Sequence, residues 1–159
     1  MQRIGAVVFA LALLAACGES ARDALDSARK ALAETHYSEA IAAADAGLSR
    51  GPDAATSWGL ELVKLEALAR SGGGDATVAQ LAKLGTAMPE QMKADQYIAT
   101  ADQLRAAGQG GAAVQALDQG LKRFPQDQAL LAQIERAKKA PAPGSDELKM
   151  LETLGYIDK

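Results

Sequence analysis

The 159-residue chain is short of the residue types that build catalytic and metal centres. It holds one cysteine, Cys17, and one histidine, His36. A lone thiol excludes an intramolecular disulfide, and one histidine without a second thiol leaves no metal set of the usual composition and no thiol–histidine dyad. No metal and no cofactor are expected. Aromatic residues make up only 4% of the sequence, so any core must be built from aliphatic side chains. No stretch alternates apolar and polar residues, which removes the signature of a half-buried strand. Positive charge is not in excess either. With 17 basic against 20 acidic side chains the net charge is −3, so no nucleic-acid partner is expected. The one basic cluster, Arg136, Lys138 and Lys139, falls at an expected helix C-terminus, where cations complement the helix dipole.

What is present begins at the N-terminus. Arg3 precedes an uncharged run at residues 4–16, too short to span a bilayer as a helix but long enough for the apolar part of a signal peptide. The run ends in small residues before the cysteine, and Leu14-Ala15-Ala16-Cys17 resembles the lipobox of bacterial lipoproteins. That resemblance implies removal of residues 1–16 and acylation of the Cys17 thiol, with residues 17–19 as the lipidated anchor. An ordinary secretory signal and an uncleaved anchor are the competing readings. After cleavage 143 residues remain, enough for one domain with its own core. Gly18, where aspartate would signal retention, implies the outer membrane under the sorting rule of Gram-negative lipoproteins, with the body facing the periplasm. If Ser20 caps the first helix, only residues 18 and 19 separate anchor from body, about 7 Å of extended chain.

The mature chain is rich in alanine and leucine and is expected to be all-α. Glycine and proline break points divide it into seven helical segments and a short tail helix. Ser20, Ser38, Asp53, Asp75 and Ser145 stand where N-caps are expected, and Gly155 where a helix should end. The segments repeat. AIAAADAGLSRGP at residues 40–52 and AVQALDQGLKRFP at residues 113–125 share seven identities in register, with Ile41 and Val114 as a conservative eighth. Pro52, Pro89 and Pro125 then mark three units of two helices each. These units resemble the tetratricopeptide repeat, with Ala40 early in a second helix, proline after it, and Trp58 where that family's first helix carries tryptophan. The resemblance implies a short right-handed α-solenoid of about three antiparallel helix hairpins over residues 20–139, closed by a capping helix. A Pro/Ala/Gly linker at 140–145 and an amphipathic tail at 146–159 follow.

Three strings mimic catalytic motifs. Ser27-Ala28-Arg29-Lys30 fits the S-x-x-K pattern but lies inside an expected helix and has no companion motif. Residues 108–113 fit a dinucleotide-type glycine pattern but follow a helix rather than a strand, and the glycines at 72–74 lack the lysine of a phosphate loop. No constellation supports catalysis. The repeat resemblance instead implies a groove lined by the first helix of each hairpin, which puts Arg22, Arg29, Thr56, Glu66, Asp95, Asp102 and Arg105 on it. The tail carries Leu148, Leu151, Leu154, Tyr156 and Ile157 as a compact apolar stripe, set either to cover the array or to dock on another protein. Its ending resembles the LxxLGY termini of some secreted bacterial sulfatases and repeat proteins. The expectation is therefore a membrane-anchored periplasmic scaffold for an unidentified protein or peptide. The alternative is an accessory subunit or enzyme of envelope metabolism with unrecognised chemistry.

Overall fold

The structure, a computed structural model, describes residues 20–139, 141–142 and 144–158. Cys17 and the expected signal peptide and anchor lie outside the described residues. The fold is all-α: among the described residues there are eight helices and no strand. They are α1 (Ala21–Ala33), α2 (Tyr37–Leu48), α3 (Ala54–Arg70), α4 (Gly74–Ala87), α5 (Ala94–Ala106), α6 (Gly110–Arg123), α7 (Gln128–Lys139) and α8 (Asp146–Thr153).

Local chemistry sets these boundaries. Ser20 and Asp23 form a reciprocal capping box at the start of α1, which also holds the Asp23 carboxyl below its usual range through the Ser20 hydroxyl. Asp53 accepts from the Ala55 and Thr56 amides at α3, and Ser145 from the Leu148 amide at α8. Ser38 and Asp75 are not caps. His36 and Gly73 hold those positions, because each hairpin turn closes early through a left-handed residue. Thr35, Gly72 and Gly108 have φ of 61°, 82° and 75°. The amide after each donates back to the carbonyl five residues before it, from His36 to Ala31, Gly73 to Leu68 and Gln109 to Leu104, at 2.8, 3.1 and 2.8 Å. The same helix-ending motif closes α8, where Gly155 has φ 77° and the Tyr156 amide donates to the Leu151 carbonyl at 2.9 Å. At Thr35 and Gly72 it places Ser38 and Asp75 inside the first turn of the next helix.

The repeat read from the second helices extends through the backbone. α5 begins 73 residues after α1, and α6 begins 73 residues after α2. Gly47 and Gly120, equivalent in that register, each sit where a Cβ would come within 2.9–3.0 Å of two neighbouring helices. For Gly47 the neighbours are Ala24 of α1 and Leu60 of α3; for Gly120 they are Tyr97 of α5 and Leu130 of α7. These contacts join the late part of α2 or α6 to the early part of the helices before and after it, so consecutive helices run antiparallel. Glycine lets three backbones converge there.

Two apolar clusters result. One joins α1, α2 and one side of α3 through Leu25, Leu32, Ala40, Ala44, Leu60, Val63 and Ala67. The other runs through Leu65, Leu81, Leu84, Leu104, Leu117 and Leu130, from α3 into α4, α5, α6 and α7. α3 has residues in both, which couples the first hairpin to the rest. α6 packs against α4, α5, α7 and α8 and is buried on most sides. α7 closes that end of the array with Leu130, Ile134 and Ala137 turned inward.

Candidate functional site

The first helices of the hairpins lie side by side, α1 against α3 and α3 against α5. Between α3 and α5 runs an open groove. Leu62, Leu65 and Glu66 line it from α3, at the helical spacing of one face. Asp95, Gln96, Ala99, Thr100 and Gln103 line it from α5, again as one stripe, around an opening of about 280 Å³. A second opening of about 330 Å³ shares Glu66 and Gln103 and continues to Tyr37, Arg70, Ala106 and Ala107.

The polar groups of this groove are partly committed. Arg70 donates to Glu66 at 3.1 Å, and its guanidinium lies 5.4 Å from the centroid of the Tyr37 ring. The Glu66 hydrogen bond raises the Arg70 pKa further. The Thr100 hydroxyl turns inward to the Gln96 carbonyl at 2.7 Å. Ala99 and Asp95 face solvent. The floor is thus leucine and alanine, edged by two carboxylates and two amides. Such a surface can hold a chain by packing and by amide and charge contacts. It pairs no nucleophile with a base. Among the described residues no group of three or more histidine, cysteine, aspartate and glutamate side chains is placed to hold a metal ion.

Of the residues expected on the groove, the structure brings Glu66 and Asp95 together in it. Thr56 is removed from the set. It is 5% exposed, and its hydroxyl donates to Asp53 at 2.7 Å, while its neighbours Ala54 and Ala55 stay exposed. Arg22 and Arg29 are exposed on α1, away from the opening; Arg29 pairs weakly with Asp26 at 3.8 Å. Arg105 turns from the groove to the tail, contacting Asp102 and Glu147, each at 3.3 Å. Sequence reasoning missed Leu62, Gln96, Ala99 and Gln103. The only signal available was their i, i+3, i+4 and i+7 spacing, since none carries a chemical signature.

The tail stripe packs within the chain. Leu151 is fully buried against α6, and Leu154, Tyr156 and Ile157 are half-buried on the same cluster. Leu148 is half-buried. α6 is shaped for the approach: a Cβ on Gly110 or Gly111 would meet Glu147 at 2.9 Å or the Asp146 carbonyl at 3.0 Å. The Tyr156 hydroxyl donates to Asp118 at 3.1 Å, and burial, with the Asp118 charge, pushes its pKa up to about 12.

One further polar contact is structural. Glu61 of α3 is 5% exposed and accepts from Gln80 and from Lys83, the latter at 2.9 Å, pinning α4 to α3. A buried carboxylate held this way fixes register more than it adds stability. At the end where α1 starts, an opening of about 490 Å³ lies between the α2–α3 and α4–α5 connectors, lined mostly by apolar atoms of Pro52, Ala54, Ala87, Met88 and Pro89. Among the described residues no helix is long and apolar enough to cross a membrane. The chain matches no family model, no curated protein and no solved structure.

Proposed function

We propose that this chain is a lipoprotein of the cell envelope, anchored through acylated Cys17, whose tetratricopeptide-like array recruits a protein or peptide partner at the membrane. The proposal extends to the arrangement: three hairpins stacked as a short right-handed solenoid, outer-membrane bound and facing the periplasm. The observation that carries the recruiting role is the groove between α3 and α5, where Glu66, Asp95, Gln96 and Gln103 edge an apolar floor left open by the fold. An extended or helical segment with apolar side chains and a basic residue fits that chemistry. The anchor rests on Leu14-Ala15-Ala16-Cys17.

The test uses the full chain expressed in a Gram-negative host and recovered from its membranes. Envelope proteins captured by the parent are compared with those captured by Gln103→Trp, which fills the groove without touching the core. The proposal expects a discrete partner retained by the parent and lost by the variant. Identical capture by both would remove the groove from the function.

A further inference from the structure

Two residues, 18 and 19, lie between the proposed lipid and a rigid point in the fold, and that point lies at one end of the molecule. Residues 18–20, fully extended, reach about 10 Å. Ser20 is fixed as the capping residue of α1, with φ −70° and ψ 162°, at the very start of the helix. Arg50 of the α2–α3 connector donates to the Ser20 carbonyl at 3.2 Å. At the same end Arg123 donates to the Gly85 and Pro89 carbonyls at 2.9 and 2.6 Å, tying the α6–α7 connector to the α4–α5 connector. The connectors at 49–53, 88–93 and 122–127 therefore belong to one linked end surface, from which the anchor emerges.

That surface differs in chemistry from the opposite end. It presents Pro89 and Pro125 exposed and Pro52, Met88 and Phe124 half-buried, around the apolar opening of about 490 Å³. Its connectors carry Arg50, Lys93, Lys122 and Arg123 against three acidic residues. Two of those acids, Asp53 and Asp127, accept from helix N-terminal amides, which offset their charge. The opposite end, at residues 34–39, 70–75, 105–109, 136–139 and 144–147, carries five acidic residues and five basic ones, Arg70, Arg105, Arg136, Lys138 and Lys139. Lys122 at the first end is paired with Asp118 at 2.7 Å, so apolar connectors rather than net charge set that end apart.

We infer that the array stands end-on, with the connector surface of Pro52, Met88, Pro89, Phe124 and Arg50 resting on the lipid headgroups that hold the Cys17 acyl chains. The inference rests on the acylation proposed above and adds the orientation. It places the hairpin turns at Thr35, Gly72 and Gly108 about 20 Å from the bilayer, the length of one 13-residue helix. The groove between α3 and α5 then stands along the membrane normal, open to a partner from the side.

The acylated full chain, carrying Glu90→Cys or Ser38→Cys, takes a nitroxide label at the new thiol, since the Cys17 sulfur is already alkylated. Each form is reconstituted into vesicles of phosphatidylethanolamine and phosphatidylglycerol doped with a nickel-chelating lipid. Relaxation of the label by nickel is expected to be several-fold stronger at position 90 than at position 38. Equal relaxation at both, or stronger relaxation at 38, with acyl groups present in the intact mass, would overturn the orientation alone. A mass without acyl groups would overturn the anchor and the orientation together.

Discussion

The most exposed structural claim is that Gly47 and Gly120 let helices converge, and replacing Gly47 tests it. A Cβ at position 47 would lie 2.9 Å from both Leu60 methyls and 3.0 Å from the Ala24 Cβ. Leu60 is completely buried and Ala24 is 1% exposed, so the methyls have no solvent to rotate into, and the Ala24 Cβ moves only with α1. Alanine in place of glycine gains about 1 kcal/mol of helix propensity, which the crowding opposes. Leucine adds three more carbons to the same space. Overpacking of that kind costs about 1 to 3 kcal/mol. For a chain of this size that is a fall in Tm of roughly 3 to 10 °C. Thermal unfolding followed by circular dichroism measures it, with Ala42→Leu on the exposed face of α2 as the control. A Gly47→Leu protein that melts with the parent would refute the close approach of α1, α2 and α3.

Three other outcomes follow from the same geometry. Leu151→Ala removes a fully buried side chain from the α6–α8 contact and should lower stability by about 2 to 4 kcal/mol, seen in urea unfolding; no change would mean the tail is not packed on α6. Thr35→Gly relieves a β-branched residue at φ 61° and should raise stability by roughly 0.5 to 1 kcal/mol after the added backbone entropy of glycine, with a lower Tm contradicting the strain. Tyr156 has a folded pKa near 12, above the unfolded value near 10. Its contribution is therefore full below pH 10 and is lost as pH rises through the folded value. Tyr156→Phe should flatten the decline in Tm over that alkaline range, and an unaltered profile would place the decline elsewhere.

Much of the fold was legible because the residues that decide it act locally. Ser20, Asp53 and Ser145 cap helices by contacts two or three residues away, and the Gly-Leu and proline repeat at 40–52 and 113–125 marks the two hairpins whose helices start at the same 73-residue offset. Ser38 and Asp75 misled because a left-handed residue three positions earlier ends one helix and starts the next before them. The groove was harder to read. The repeat register put Arg105 and Thr56 on it, yet Arg105 is held by Glu147, 42 residues away, and Thr56 is folded inward. Only tertiary packing decides such partners. Ala99, Gln96 and Gln103 line the groove through small size and position, which no motif records.

The central claim is that the open face between α3 and α5 engages a partner at the membrane. A photo-crosslinking side chain at Ala99, which is exposed and lines the groove, tests this in cells expressing the full chain with its own N-terminus. The account predicts a membrane-associated adduct of one discrete mass from position 99, absent when Gln103→Trp is added and absent from position 42. No adduct from position 99, or the same adduct from both positions, would contradict it.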